Sequence, residues 1–207
     1  MVIVFDLDDT LYDEIDFVKS GFKEISKYLG DKKYFNFMWE LFLKEGSGKI
    51  FDKLIENFSL NVSLNKLLEI YRFHYPTIVL PKESRDILKF CKNFKTALIT
   101  DGHYIMQKNK FFALDLKKFI EYPLFTDFYN TKKPDVKPFL MVMKKYPNEE
   151  YVYISDNPKK DFFAPKKLGW KTIRYKNPKG IYKNIKNNAD IEVKSREKIL
   201  EILKEIK

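Results

Sequence analysis

The chain contains two kinds of hydrophobic pattern, and they occupy different stretches of the sequence. Before residue 14 and after residue 81, short apolar runs alternate with segments in which apolar residues recur every three or four positions. Such runs are typical of buried parallel strands, and the intervening segments are typical of helices that pack on them. The predicted strands are residues 2–5, 96–100, 124–128, 151–155, 170–175 and 189–193.

Alternation of strand and helix predicts an α/β fold, a Rossmann-like parallel sheet with helices on both faces. We assign this core to residues 1–13 and 82–207. Residues 14–81 lack strand-like runs and carry apolar residues at helical spacing throughout, beginning with an amphipathic helix from Ile15 that ends at Gly30. We therefore predict an all-helical module inserted after the first strand of the core.

Polar residues follow the predicted strands of the core at the point where each strand stops. Asp6 and Asp8 follow the first strand, Thr100 ends the second, and Asp156 follows the strand at 151–155. In a parallel sheet these ends lie along one edge, and ligands bind in the crevice outside it. Carboxylates that share a small volume repel each other, and a divalent cation relieves this most simply. An oxygen-rich ligand set favours Mg²⁺.

The same sheet edge carries groups that suit a phosphate monoester. Thr100 and the backbone amides of Asp101 and Gly102 are placed to hold phosphate oxygens, because they stand at the start of a predicted helix. Lys133 supplies a positive charge. A carboxylate can attack phosphorus, and Asp8 can act as acid and then base if its surroundings keep it protonated and off the metal.

Asp156 would complete the metal site, and Asp161 follows it by five residues. This spacing places Asp161 about one helical turn further along the chain. From there its carboxylate would hold a metal-bound water or orient Lys133.

These residues, in this order, resemble the four motifs of the haloacid dehalogenase superfamily. The first motif is matched by the run from Asp6 to Thr10, the second by Thr100, the third by Lys133-Pro134, and the fourth by Asp156 with Asp161. The resemblance covers residues 1–13 and 82–207. It implies that Asp6 is the nucleophile, that Asp8 is the acid/base, and that the backbone carbonyl of Asp8 also binds Mg²⁺.

The resemblance implies a phosphatase, because the dehalogenases of the superfamily have a different residue where Asp8 stands. It also implies that the helical insertion is a cap that closes over the site and selects substrates. Two positions depart from the common pattern: Asp9 and Ser155 each replace a glycine. Neither change removes a catalytic group. The expected substrate is a small phosphorylated metabolite, either a sugar phosphate or a nucleoside monophosphate.

Composition narrows the remaining possibilities. The formal net charge is +10, but the lysines are spread over the whole chain, so we do not expect nucleic acid to be a partner. The single cysteine, Cys91, cannot form an internal disulfide. No stretch is long and apolar enough for a membrane span, and no signal peptide is apparent, so we expect a cytoplasmic protein. A monomer and a homodimer are both compatible with this sequence.

Two alternative functions and one question about the insertion stay open at this point. A sugar phosphomutase of the same superfamily would use the same residues around the reacting phosphorus. The other alternative is a binding or scaffold module that keeps this fold without catalysis and that could associate with nucleic acid. Arg72, His74 and Tyr75 lie near the return from the helical insertion to the core, where a contact with substrate is conceivable.

Overall fold

The structure is a computed structural model and describes residues 1–206. Its six strands are short, and most of their residues are buried. They are β1 (Val2–Phe5), β2 (Lys95–Thr100), β3 (Tyr122–Phe125), β4 (Tyr151–Ser155), β5 (Lys171–Tyr175) and β6 (Ile191–Val193).

Helices follow most of these strands and fill the long stretch between β1 and β2. The first four are α1 (Glu14–Leu29), α2 (Lys32–Glu45), α3 (Ile50–Phe58) and α4 (Leu64–Phe73). The others are α5 (Lys82–Cys91), α6 (Tyr104–Ala113), α7 (Lys137–Lys145), α8 (Phe163–Lys167) and α9 (Arg196–Glu205). Among residues 1–206, no helix is both long enough and apolar enough to cross a bilayer.

The six strands form one sheet in the order β3-β2-β1-β4-β5-β6, and every neighbouring pair is parallel. This confirms the predicted α/β fold class. The strand β1 lies in the interior of the sheet, where Phe5 pairs with Leu98 of β2 and with Ile154 of β4. The residues that follow these three strands therefore meet at one edge, which is the arrangement that positions the site.

Apolar packing holds the sheet against its helices. Phe139 on α7 is fully buried, and its ring meets Tyr153 of β4 and Trp170 edge-on at centroid distances of 5.2 and 5.4 Å. Trp170 also stacks on Tyr151, at 4.6 Å. Aromatic pairs in these arrangements stabilise the fold beyond the effect of burying their apolar surface, so α7 packs firmly on this side of the sheet.

The chain divides into two compact units. One contains Met1–Glu14 and the chain from Val79 onward, and the other is Ile15–Ile78. The second unit is helical and has a hydrophobic core of its own, in which the ring of Phe22 lies 6.1 Å from Phe51. The assignment of this unit as a cap stays a prediction.

Two predicted strands differ by at least two residues at an end from those observed, and two others differ by a single residue. The strand predicted at 124–128 is β3, which ends at Phe125 and continues as a 3₁₀ turn. The turn forms because the Thr126 hydroxyl donates to Asp101 Oδ1 at 2.8 Å. The strand predicted from residue 189 begins at Ile191, because Asp190 instead accepts hydrogen bonds from the backbone and hydroxyl of Thr172.

Candidate active site

Three buried carboxylates meet at the carboxyl edge of the sheet. Asp6 follows β1, Asp156 follows β4, and Asp161 lies in the turn before α8. Each can offer one oxygen within 4.8 Å of the oxygens of the other two. Three carboxylates at this separation could hold a divalent cation through oxygen ligands. Asp6 and Asp156 are 150 residues apart in the sequence and come together because β1 and β4 are neighbouring parallel strands.

Lys133 joins this acidic cluster from the loop before α7. Its ammonium donates to Asp6 Oδ1 at 2.6 Å and lies 3.0 Å from Asp161 Oδ1. It also donates to the Tyr153 hydroxyl at 3.1 Å. Asp161 is held in turn by the hydroxyl of Ser155. The residue that replaces the expected glycine therefore orients the carboxylate that contacts the lysine.

The acidic cluster carries more negative charge than Lys133 balances. Burial, together with the charges of Asp6 and Asp161, raises the pKa of Asp156 to about 9. Burial also raises the pKa of Asp6 to about 7, against the opposing charge of Lys133. Among the described residues, the buried Oδ2 of Asp156 has no hydrogen-bond partner. Unfavourable carboxylate charge and an unpaired buried oxygen are both relieved by a bound cation, so these residues fit Mg²⁺.

Asp8 faces a different set of partners from Asp6. Its carboxylate accepts hydrogen bonds from the Tyr12 hydroxyl, from Gln107 Nε2 at 3.0 Å and from Lys110 Nζ at 2.7 Å. Burial raises the pKa of Asp8, but the charge and hydrogen bond of Lys110 outweigh it, and the pKa lies below its usual value. In this conformation a fully buried lysine on α6 stabilises the Asp8 carboxylate, and the role of Asp8 as proton donor stays a prediction.

Gln107 connects Asp8 to the end of β2. Its amide nitrogen donates to the Asp8 carboxylate, so its oxygen faces Thr100, whose hydroxyl donates to it at 3.1 Å. The hydroxyl predicted to hold a phosphate oxygen is thus oriented by the same glutamine that orients Asp8. Gln107 also packs over Gly102, where an added Cβ would lie 2.7 Å from its Nε2.

The turn after β2 is fixed through the side chain of Asp101. Its Oδ1 accepts hydrogen bonds from the backbone amide of Lys133 at 3.1 Å and from the Thr126 hydroxyl. Its Oδ2 accepts one from Lys160 at 2.6 Å. Gly102 adopts a φ of 119°, which only glycine adopts without strain. The turn therefore has a defined shape before any ligand binds.

Asp9 occupies a backbone position that normally favours glycine. Its φ is 55°, in the left-handed region, where aspartate is better tolerated than most residues. The side chain is used there: Oδ1 accepts the backbone amide of Glu14 at 3.0 Å and the amide of Asn177 at 3.3 Å. The two hydrogen bonds of Asp9 stabilise the loop between β1 and α1 and offset the strain of its backbone.

A cavity of about 210 Å³ opens between these groups. Its walls include Asp6, Asp8 and Asp156 together with Thr100 and Gly102. The cavity therefore joins the acidic cluster to the turn after β2 in one continuous space. This volume suits a phosphoryl group with a short organic chain.

The structure brings together all eight residues predicted for the site. They are Asp6, Asp8, Thr100, Asp101, Gly102, Lys133, Asp156 and Asp161. Gln107, Lys110, Lys160 and Tyr182 also belong to this region and were not predicted. None of the four follows an apolar strand. The lysine-rich residues 176–186 have a charge pattern typical of solvated surface, yet Tyr182 lines the cavity.

The residues proposed for the insertion lie in the helical unit. His74 Nδ1 faces the carbonyl of Tyr71 at 2.7 Å, and its Nε2 lies 3.2 Å from the Ser20 hydroxyl. Tyr75 is 65% exposed. The contacts shown for His74 are internal to this unit, so a role for Arg72, His74 or Tyr75 in binding substrate stays a prediction.

Comparison with known proteins agrees with this geometry. The model of the haloacid dehalogenase-like hydrolase family matches residues 3–175. The chain belongs to this family. The match spans β1 to β5 and thus all four motifs, and it confirms the predicted family and hydrolase class.

Full-length relatives of this family member include two curated archaeal enzymes named glyceraldehyde 3-phosphate phosphatase. The one from Methanocaldococcus jannaschii is 28% identical, with 99% of this chain and 97% of that protein covered. The one from Pyrococcus furiosus is also 28% identical, with 98% and 92% covered. Both names agree with the predicted enzyme class, a phosphatase of the superfamily.

Solved structures share the fold. The putative family hydrolase YfnB from Bacillus subtilis, solved with bound magnesium, has a TM-score of 0.72 at 16% identity, with 98% of this chain and 97% of that chain covered. A putative β-phosphoglucomutase from Thermotoga maritima has a TM-score of 0.69 at 21% identity, with 100% and 99% covered. At these identities the likeness concerns the fold alone.

Proposed function

We propose that this member of the haloacid dehalogenase-like family is a Mg²⁺-dependent phosphatase that hydrolyses a small sugar phosphate through an aspartyl-phosphate intermediate. The observation that carries the proposal is the position of Asp6. Its carboxylate contacts the Lys133 ammonium and lies close to two further buried carboxylates, at the wall of a cavity of about 210 Å³. A carboxylate in this setting can act as nucleophile while nearby positive charge stabilises the phosphoryl group.

Asp6, Asp156 and Asp161 would hold the Mg²⁺, together with the backbone carbonyl of Asp8. The fit rests on the unpaired buried oxygen of Asp156 and on the excess of negative charge in the cluster. Bound Mg²⁺ would supply positive charge that neutralises the repulsion between the Asp6 carboxylate and the phosphate dianion.

Four groups of the chain would bind the phosphoryl group. Thr100 offers its hydroxyl, Asp101 and Gly102 offer backbone amides in the turn that precedes α6, and Lys133 offers a positive charge from behind the Asp6 carboxylate. The hydrogen bonds that the Asp101 side chain accepts from Thr126 and from the backbone of Lys133 hold this turn in place. These groups would hold the phosphorus in reach of Asp6 and restrict its orientation for in-line attack.

In the first step, an oxygen of Asp6 attacks phosphorus as the bond from phosphorus to the leaving oxygen breaks. The leaving oxygen takes a proton from Asp8, whose protonated form a bound phosphate dianion would favour by raising its pKa, and the dephosphorylated product departs. Lys133 keeps Asp6 aligned, because its ammonium donates to Oδ1 and leaves Oδ2 for the attack.

In the second step, water attacks the phosphorus of the aspartyl-phosphate. Asp8 accepts a proton from this water, the bond between phosphorus and Asp6 breaks, and the Asp6 carboxylate is restored. The resting structure favours this step, since Tyr12, Gln107 and Lys110 stabilise the ionised form of Asp8 that a general base requires.

A three-carbon sugar phosphate is the first substrate to test. The two curated relatives are named for glyceraldehyde 3-phosphate and align over nearly the whole chain. The cavity of about 210 Å³ has room for a phosphoryl group that carries a short chain.

The test is phosphate release from glyceraldehyde 3-phosphate, a hexose phosphate, a nucleoside monophosphate and an aryl phosphate, with Mg²⁺ and with a chelator. We expect Mg²⁺-dependent release that is fastest with the triose phosphate. Asp6→Asn is expected to lower kcat by at least about 10³-fold, because an amide cannot form the covalent intermediate. Asp86→Asn on α5 is the matched control, because this exposed carboxylate lies outside the cavity.

Each other outcome has a distinct meaning. Equal rates with and without Mg²⁺ and in Asp6→Asn would favour a module without catalysis. Interconversion of a bisphosphorylated sugar without phosphate release would favour a mutase. Faster release from a nucleoside monophosphate than from any sugar phosphate would contradict the proposed substrate class but not the chemistry.

A further inference from the structure

Lys160 places a second ammonium group in the active-site region, and it is more exposed to solvent than Lys133. Its Nζ lies 2.6 Å from Asp101 Oδ2, and its side chain is 34% exposed. Lys133, by contrast, is 1% exposed and is enclosed by Asp6 and Asp161. The two lysines thus have different access to anything that enters the cavity.

The residues that line the cavity show the same difference in access between the two lysines. Among residues 1–206, the wall contains several carboxylates, but Lys160 is the one residue in it with a permanent positive charge. Lys133 and Lys110 do not line the cavity, because they lie behind the carboxylates that they neutralise. An entering phosphate dianion would therefore meet Lys160 as the accessible protein cation.

The position of Lys160 is set by the turn that would bind phosphate. Asp101 tethers its ammonium through Oδ2, while Oδ1 of the same carboxylate is fixed by Thr126 and by the backbone of Lys133. A lysine amine beside a carboxylate is protonated at neutral pH. The charge therefore stands at the wall of the cavity, beside the Asp101 carboxylate.

We propose that Lys160 is a further phosphate-binding residue of this site and contacts the non-bridging oxygens of the phosphoryl group directly. The proposal rests on the proposed phosphatase function. In this arrangement Asp101 is a positioning residue: it holds the ammonium at the cavity wall. An approaching phosphate dianion would then share the ammonium with Asp101, since an ammonium has three donors.

The proposal has a signature that a structural role would not produce. A positive charge near the acidic cluster attracts phosphate and repels Mg²⁺, and both effects fall off with distance in the same way. Removing the charge should therefore weaken phosphate binding and tighten Mg²⁺ binding. A variant that only distorts the site would weaken both.

The experiment measures two dissociation constants in Lys160→Gln, by isothermal titration calorimetry. One is for inorganic phosphate with saturating Mg²⁺, and the other is for Mg²⁺ without phosphate. We expect phosphate to bind about tenfold more weakly and Mg²⁺ about two- to threefold more tightly. Lys160→Arg should restore phosphate binding. Lys159→Gln is the control, because this neighbouring lysine is exposed and does not line the cavity.

A double variant separates phosphate binding from simple neutralisation of Asp101. If Lys160 only offsets the Asp101 carboxylate, adding Asp101→Asn to Lys160→Gln should restore phosphate binding to the wild-type value. If Lys160 contacts phosphate, the double variant should bind phosphate no better than about one fifth as tightly as the wild type. Restoration overturns the proposal, and so does weaker binding of both ligands in Lys160→Gln.

Failure of this proposal differs from failure of the proposed function. A wild-type protein that hydrolyses the triose phosphate and binds phosphate as tightly as Lys160→Gln contradicts the role of Lys160 alone. A wild-type protein that neither hydrolyses any phosphate monoester nor binds inorganic phosphate contradicts the phosphatase proposal, and the role of Lys160 falls with it.

Discussion

At the scale of single residues, the ionised form of Asp8 is stabilised mainly by residues that are distant from it in the sequence. Tyr12 is four residues away, but Gln107 and Lys110 come from α6, about a hundred positions later. Lys110 is fully buried and also lies 3.6 Å from Glu14. One lysine therefore serves two carboxylates, and its removal would leave both without their positive partner.

Lys110→Met is expected to lower the free energy of unfolding by about 3 kcal/mol at pH 7, because a charge at Asp8 would remain in place without its cation. Urea denaturation measures this difference. In the wild type, the lowered pKa of Asp8 stabilises the folded state above about pH 4, and the stabilisation is lost as the pH falls through the folded value. The deficit of Lys110→Met should therefore shrink below pH 4.

Lys108→Met on the same helix is the control for Lys110→Met, because Lys108 is exposed. We expect a change within about 0.5 kcal/mol for this variant. An equal loss of stability in the two variants would show that the helix tolerates methionine poorly and that the buried ion pair contributes nothing of its own.

At the scale of elements, helices and strands were predictable where apolar periodicity is strong. The five-residue run of β4 is buried throughout, and its type follows from that pattern alone. The segment between β5 and β6 was not predictable in this way. Buried Arg174 donates to the carbonyls of Tyr182 and Ile185, and these bonds hold a lysine-rich segment against the core. The segment has the charge pattern of a solvated loop. The residue that anchors it, Arg174, lies outside the segment and cannot be identified from that pattern.

The helix α7 offers a direct test of how the sheet is supported. Phe139 is fully buried between Tyr153 and Trp170, whereas its neighbour Leu140 is 46% exposed. Phe139→Ala is expected to lower the free energy of unfolding by about 3–5 kcal/mol through lost burial and the cavity that remains. Denaturant titration of Phe139→Ala and of a control variant, Leu140→Ala, measures the difference in the free energy of unfolding.

Leu140→Ala should change the same quantity by less than about 1 kcal/mol, because its side chain already contacts solvent and alanine is a strong helix former. Similar losses in the two variants would mean that α7 is sensitive to any truncation, in which case the packing of Phe139 against the sheet would not be the main source of its stability.

At the scale of the whole molecule, the sequence allowed prediction of the fold class and of the acids at the strand ends, since each of these acids interrupts an apolar run. Parallel strands require their carboxyl ends to share an edge, so proximity of Asp6 and Asp156 follows from strand type without knowledge of the strand order. Gln107 and Lys160 could not be predicted, because a polar residue in a helix or turn has the same local pattern whether it faces solvent or a cavity.

The two ends of the chain are also joined, which sequence patterns do not reveal. Asp13, just after the first motif, accepts a hydrogen bond from Arg196 of α9 at 2.7 Å and one from Lys179 at 2.9 Å. Arg196 also donates to the carbonyl of Thr10 at 2.9 Å. The last helix thereby holds the loop that carries Asp8 and Asp9.

Asp13→Asn is expected to lower the free energy of unfolding by about 1–2 kcal/mol at pH 7, a modest loss because the partner Lys179 is exposed to solvent. Burial raises the pKa of Asp13, but hydrogen bonds from Lys179 and Arg196 lower it below its usual value. A lowered folded pKa stabilises the protein above about pH 4 and ceases to do so as the pH falls through it. Denaturant titrations at pH 7 and pH 3 should therefore show a gap in the free energy of unfolding between wild type and variant that narrows in acid.

The control is Asp16→Asn, because Asp16 is an exposed carboxylate nearby in the chain, and this variant should show no gap at either pH. A gap that stays constant between these pH values would mean that Asp13 contributes through its shape and not through its charge.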